Sequence, residues 1–538
     1  MNYLSSIVLP NNADQVEKFA ASELAKYINC ITNQPIPVFV SVQNESDMLV
    51  DSSVGSIYIG QLPDTLGESI RNQIANDLKE LHDDGFIIKD IHGNLAICGK
   101  TPRATLYGVY HYLQLLGVRW YFPGKDYEFL PKLPRIELTS INVKESPDIN
   151  KRGIVIHFSN SALYDWIDFA PKVKLNSIAL HSPEGVHEIA DLLADRGLQL
   201  DFERHFFGDV FGSDDPAGLE KNKKQVRDYV QTIPECINDF FLWQADVWVK
   251  QADRDRERNY TISDSTLQFM NEMLPVIKEI RPEARLAFLA YLGTFQRPKF
   301  VKPAEGIFLE IAPMHRCFSH AIADPVCPIN SRSVSETERT RQNMGVKPIV
   351  EALLEVFNPH EAQVLGYWLD ASLFGRGRYK DMRGRVPQFG EIIKDDINYY
   401  RNLGISAITT FAVGIDKSYL AEFTSPAIFQ YATLLWDSQT DLQSQLEDFC
   451  EHFYDDKDLA NIFQLREQLE PIDPMPQYWQ EYINELGHAR SRIQQILNAT
   501  TDEKIRVRLQ RLRNESDHVR FFTDRILPAP VKECFHAY

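Results

Sequence analysis

Between residues 151 and 413 the chain repeats one alternation eight times, a short apolar β-rich run followed by a polar or amphipathic stretch. The runs are KRGIVIHF (151–158), NSIALH (176–181), LQLDFERH (198–205), DFFLWQADV (239–247), ARLAFLAY (284–291), GIFLEIAP (306–313), QVLGYWLD (363–370) and ISAITTFAV (405–413). Apolar residues at helical spacing mark HEIADLLADRG before the third run, TLQFMNEMLPVIKEI before the fifth and FGEIIKDDINYYRNLG before the eighth. Eight β/α units in about 260 residues is the span of a closed (β/α)8 TIM barrel. A doubly wound open sheet is the rival. The count of eight, and the lack of a Gly-rich phosphate loop after the first run, favour the ring.

The flanks have a different character. Residues 1–145 alternate short β runs (SSIVLP, SIYIGQL, GFIIKD, NLAICGK) with two amphipathic helices. One carries Val16, Phe19, Ala20, Leu24, Tyr27 and Ile28 on a face, and the other starts near Arg103 and stops at Gly117. This predicts a small αβ sheet domain. Residues 146–437 hold the barrel, and 438–538 read as helices with apolar stripes such as Ile505, Leu509 and Leu512. Those stripes dock on the barrel or serve a homo-oligomer interface. The fold class expected is therefore α/β, a TIM barrel between a small αβ domain and a helical C-terminal region.

Charge narrows the partners. With 57 Lys+Arg against 75 Asp+Glu, the formal net charge of -18 repels phosphate backbones and anionic headgroups, so neither nucleic acid nor membrane is expected. The first residues lack the basic and apolar regions of a secretory signal, which reads as cytoplasmic. Seven scattered Cys without a Cys-x-x-Cys pair read as reduced thiols packed as small hydrophobes, and no cofactor or metal is expected.

Barrel chemistry collects at the C-terminal strand ends, because the βα loops there form the mouth. Those ends supply His157, His181, Glu203, His205, Asp246, Tyr291, His315, Arg316 and Asp370. Glycoside hydrolysis needs two carboxyl groups flanking the scissile bond. Asp246 is expected as the acid, Asp370 as the base or orienting group, and Glu203 as a third catalytic carboxylate beside His205. Alternation puts Leu242, Gln244 and Asp246 on one face of the fourth strand, and Val364, Gly366, Trp368 and Asp370 on one face of the seventh, consistent with a shared inward face. Either Asp can instead cap the helix that follows. Trp243, Trp248 and Trp368 are candidate platforms for sugar faces, although Trp in a barrel is commonly core.

The segment PMHRCFSHAIADPVCPIN carries Arg316, His320, Asp324, Cys327 and Asn330, too dispersed for a recognised metal box. It reads as a substrate loop, with His315, Arg316 and His320 contacting an anionic or acetamido-bearing sugar. Pairing of Arg316 with Asp324 is the bland alternative. The run QADRDRERNY reads as a solvated face.

The stretches FAASELAKYINCITNQPIPV and LYGVYHYLQLLGVRWYFPGKDYEFLP resemble the α-glucuronidase-like N-terminal domain of the bacterial family called domain of unknown function 4838. AYLGTFQRP, the MHRCFSH loop and IFQYATLLWDSQTDLQSQLEDFCEHFYDD resemble the same family, so the likeness spans most of residues 1–460. It implies a barrel related to glycoside hydrolase families 20 and 67, some members with this domain being endo-β-N-acetylglucosaminidases of family 163. Two departures stand out. The fourth run reads WQADVW, without the adjacent Asp-Glu pair of family 20, and KQADRDRERN replaces a Cys-rich stretch.

The expectation is a metal-independent glycoside hydrolase acting on an amino or acidic sugar by carboxyl acid/base chemistry, with a carbohydrate or glycoside as its small-molecule substrate. The rivals are a non-catalytic carbohydrate-binding barrel and a different reaction class on the same scaffold.

Overall fold

The computed structural model describes residues 2–41, 54–62, 67–181, 185–208, 210–211, 216–246, 250–251, 253–325, 327, 345–375, 384–469 and 479–526. Trp248 and Asn330 lie outside these. Eight parallel strands close into a barrel: β1 (Lys151–Ile156), β2 (Ser177–Leu180), β3 (Gln199–His205), β4 (Asp239–Trp243), β5 (Arg285–Ala290), β6 (Ile307–Ile311), β7 (Gln363–Gly366) and β8 (Ala407–Phe411). Each falls within one of the eight runs. Val155 of β1 aligns with Phe411 of β8, which seals the ring and leaves no edge strand.

Helices cover the outside at Leu163–Lys172, Val186–Ala194, Pro216–Val230, Ile262–Lys278, Val346–Leu354, Gly390–Asn402 and Ala427–Trp436. Between β5 and β6 the described chain has only a 3₁₀ turn, Leu292–Thr294, and then an irregular strap. Pro298, Pro303 and Gly306 explain it, since two prolines and a glycine within nine residues oppose a helix. The strap is tied to the preceding helix instead. Asp264 Oδ1 accepts from the backbone of Phe300 and Val301 at 2.7 and 2.9 Å, and the side-chain amide of Asn271 clamps Lys302 and Ala304.

The N-terminal part is a seven-stranded mixed sheet in which Asn2–Leu9 lies between Val38–Val40 and Val54–Ile59. Helix Gln15–Thr32 starts with a capping box, Asp14 and Glu17 exchanging side-chain and backbone bonds, and ends at Asn33 in the left-handed region at φ 56°. Asn tolerates that conformation better than other side chains. Helix Pro102–Leu115 begins at the Thr101 cap and ends before Gly117, whose φ of 96° suits glycine.

This sheet unit sits against the N-terminal ends of the barrel strands, the end opposite the mouth. Buried Asp84 is the joint. It accepts from Arg152 at 2.7 Å and Asn176 at 2.8 Å, both at strand starts, and from Arg103 of the small unit at 2.7 Å. Two cationic partners hold its carboxyl below the usual range despite burial. At the C-terminal end of the chain, helix Glu503–Ile526 buries Leu509 and Leu512, and Glu515 caps the backbone of Thr424 at 2.7 Å. The stripe therefore docks locally. Among the described residues no helix is long and apolar enough to cross a membrane.

Candidate active site

The barrel interior fixes which side chains can reach the mouth. Lys151 of β1 bridges to Asp201 of β3 at 2.8 Å and to Gln363 of β7 at 2.7 Å, contacts possible only across the ring. The Gln363 amide in turn lies 3.3 Å from both Glu203 and Glu310, and Trp243 Nε1 donates to Glu310 Oε2 at 2.6 Å. The inward face of β4 is thus Phe241 and Trp243, and that of β7 is Gln363 and Tyr367. Both assignments reverse the alternation read from the sequence.

The reversal has a common cause. The β4 ladder ends at Trp243 and that of β7 at Gly366, so the period of two cannot be carried on to Asp246 or Asp370. Those carboxylates reach the mouth through turns. Trp368, expected as a platform, points outward: it is 1% exposed, its Nε1 donates to Asp396 Oδ2 at 3.1 Å, and its ring packs on Tyr431. On β3 the expected alternation of Asp201, Glu203 and His205 is the one observed.

Above this core three imidazoles stand side by side at the ends of β1, β2 and β3. Ring centres are 5.1 Å apart for His157 and His181, and 5.8 Å for His181 and His205. His181 Nδ1 lies 2.9 Å from the Glu203 carbonyl, and His205 Nδ1 2.5 Å from the Gln244 carbonyl. A carbonyl only accepts, so each of these Nδ1 atoms carries a proton. Burial, then the neighbouring His157 and His205, push His181 down to about 4, so it is neutral at neutral pH. Trp243 packs against His181, His205 and Phe411; at 1% exposed it is the floor of the mouth rather than a free stacking face.

Asp246 is exposed, and its Oδ1 accepts from the Tyr291 hydroxyl at 2.7 Å. That hydroxyl also lies 3.4 Å from the Met314 sulfur in the loop after β6. Asp370 is 4% exposed, and its Oδ1 accepts from Ser372 Oγ at 2.6 Å and from the Leu373 backbone at 3.2 Å, capping the turn Leu373–Gly375. Tyr367 feels both carboxylates. Burial raises its hydroxyl well above the ordinary value, and Tyr291, Asp370, Glu310 and Asp246 raise it further, so it lies in the field of both Asp246 and Asp370. His157 is lowered by burial and partly restored by Asp370. Asp370, His157, His181, Asp246 and Tyr291 therefore succeed one another around a common rim.

Glu203 lies below that rim. It is fully buried, with one oxygen near Gln363 and the other without a hydrogen-bond partner, and burial followed by repulsion from Glu310 raises it well above the carboxylate range. Its full burial sets Glu203 within the barrel core, apart from the exposed Asp246 expected to act with it. Tyr367 and Glu310 were missed by the sequence reading. A lone Glu inside the apolar run GIFLEIAP was the available signal.

Arg316 is also buried. It is 2% exposed, forms a double ion pair with buried Asp396, and donates to the His320 carbonyl at 2.7 Å. Asp396, 80 residues along the chain, is thus an ion-pair partner that the sequence did not suggest. His315 is half-buried in the turn beside Met314. His320 faces Cys317, its Nδ1 3.2 Å from Sγ, and the ligand atoms of Cys317, His320 and Cys327 all lie within 4.8 Å of one another. The loop that looked too dispersed for a metal box gathers three ligand-type groups at one point.

Comparison with known proteins agrees with this architecture. Residues 1–112 match the family model described as Glycosyl hydrolase family 67 N-terminus. A family GH115 4-O-methyl-α-glucuronidase with specificity for decorated arabinogalactans aligns with a TM-score of 0.59 at 12% identity, over 94% of this chain and 70% of its own. CpGH84D aligns with a TM-score of 0.56 at 11% identity, over 99% and 90%. A GH20 exo-β-N-acetylglucosaminidase from Vibrio harveyi, in complex with N-acetylglucosamine, aligns at 0.50 and 11% identity, over 87% and 75%. No curated protein matches the chain.

Proposed function

We propose that this chain is a glycoside hydrolase acting on an amino-sugar glycoside, with Asp246 as the carboxyl group that meets the glycosidic oxygen. The observation that carries this reading is the pose of Asp246. It is exposed at the mouth, one oxygen is fixed by the Tyr291 hydroxyl, and the other takes no hydrogen bond from the described residues. In its acid form that second oxygen bears the proton and delivers it to the leaving group, while Tyr291 sets its direction. Asp370, with one oxygen committed to its own turn, acts as base or orienting group. The neutral His181 offers its Nε2 as an acceptor for a sugar hydroxyl.

Two considerations support the substrate class. The solved structures of similar fold carry names of enzymes for uronic acid and N-acetylamino sugars. Of those two, an acidic sugar wants a cation, and Arg316, the cation expected for it in the described part of the loop after β6, is already paired with Asp396. The neutral amino sugar fits better. Membership of the domain of unknown function 4838 family is part of the same proposal and rests on the N-terminal and LLWD stretches.

The test is a panel of 4-nitrophenyl N-acetyl-β-glucosaminide, N-acetyl-β-galactosaminide and α-glucuronide. Turnover of one amino sugar is expected, falling by about 10²–10⁴ in Asp246→Asn with an unchanged circular dichroism spectrum. Equal turnover by the variant would remove the assignment. Calorimetric binding of these sugars with no cleavage would establish a non-catalytic barrel instead.

A further inference from the structure

The loop after β6 brings Cys317, His320 and Cys327 together from outside the barrel core, and the mouth chemistry uses none of them. Their ligand atoms lie within 4.8 Å of one another, Cys317 Sγ and His320 Nδ1 at 3.2 Å. Tetrahedral zinc with metal–sulfur bonds of about 2.3 Å and metal–nitrogen bonds of about 2.0 Å has ligand–ligand edges of about 3.5–3.8 Å. The cluster meets that scale with side-chain adjustments alone.

The surrounding loop is already held. Arg316 is locked on Asp396 and on the His320 carbonyl, Asp396 also accepts from the Ile322 backbone at 2.7 Å, and Phe318 packs on Phe374 at 5.5 Å. Cys327 is fully buried and Cys317 half-buried. Cys317 and His320, on a segment so held, have little conformational entropy left to lose on coordination.

We propose that Cys317, His320 and Cys327 bind one zinc ion, with water in the fourth position. Thiolate and imidazole donors select zinc over the hard cations magnesium and calcium. Binding releases both thiol protons to solvent. The ion fastens the loop whose Met314 touches the hydroxyl that orients Asp246. This inference stands whether or not the barrel is a glycosidase.

Elemental analysis of the desalted full-length chain, purified without chelator, should find about one zinc per chain, falling at least about tenfold in His320→Ala and in Cys327→Ser. Should a variant fail to fold, the wild-type chain stripped by a chelator and titrated with cobalt(II) provides the second reading. A thiolate-to-cobalt charge-transfer band with intense tetrahedral d–d bands is expected, together with protection of Cys317 and Cys327 from iodoacetamide by metal. Absence of both zinc and the cobalt spectrum would overturn the proposal. So would zinc content unchanged in both folded variants, or a Cys317–Cys327 disulfide in freshly purified, unreduced protein.

Discussion

Trp243 donates its indole N–H to Glu310 Oε2 at 2.6 Å, joining the floor of the mouth to a carboxyl group buried in the barrel core. Burial pushes Glu310 up to about 8, against the lowering effects of Trp243, Lys151 and Gln363. The unfolded chain ionises this carboxyl near the ordinary value of about 4.3. Between about pH 4 and 8 the unfolded state therefore binds fewer protons than the folded one, and stability falls as pH rises through that window. Glu310→Gln keeps an acceptor for the indole and removes the titration. Its melting temperature should match that of the wild type near pH 4 and exceed it near pH 8; parallel profiles for the two proteins would refute this.

Tyr291 donates to Asp246 and is itself placed by the turn after β5, where Thr294 Oγ1 accepts from the Tyr291 backbone N–H at 3.1 Å. Tyr291→Phe removes one hydrogen bond to a carboxylate without changing the ring. Asp246 then loses the contact that fixes its direction. The expected result is a kcat reduced by about tenfold with KM little changed, and no further loss when Tyr291→Phe is combined with Asp246→Asn. Additive losses in the double variant would show that Tyr291 acts otherwise than through Asp246.

The ring of strands was legible because a barrel strand is apolar over a short, bounded length, and each of the eight runs is such a length. What the runs could not give was the residue at which each ladder stops. Carrying alternation through WQADV and GYWLD assigned Gln244 and Trp368 to the interior, whereas the last paired residues of those strands, Trp243 and Gly366, put Trp243 and Tyr367 there. Asp246 and Asp370 follow the strand ends, where parity no longer applies. Glu203 keeps the expected face and is fully buried, since a sequence does not say how far down a barrel a carboxylate sits. The gathering of Cys317, His320 and Cys327 depends on Arg316 closing on Asp396, 80 residues away in the chain. No local spacing encodes that.

Arg316 and Asp396 give a stability prediction that separates structure from substrate binding. Both are buried, and Asp396 also takes bonds from Trp368 and from the Ile322 backbone. Removing one partner of a buried pair leaves the other charge unmatched, a loss of about 3–5 kcal/mol. Arg316→Ala should lower unfolding stability by that order in urea. For the fraction that remains folded, KM for the cleaved glycoside should be unchanged. A raised KM with intact stability would return Arg316 to the substrate.

Asp370 has two roles open to it, and two substitutions tell them apart. As a cap it needs only an acceptor, which Asn supplies, so Asp370→Asn should keep the turn Leu373–Gly375 while Asp370→Ala should lose about 1 kcal/mol. As the second carboxyl of the mouth it needs its charge, and Asp370→Asn alone should then abolish most turnover at wild-type stability. The charge has a second reporter in His157, whose ring Asp370 partly restores against burial. Neutralising Asp370 should lower the His157 titration midpoint further, which imidazole proton resonances would follow directly. Turnover retained in Asp370→Asn, with the midpoint lowered, would leave Asp370 as a cap that merely borders the site and would pass the second carboxyl role to another group.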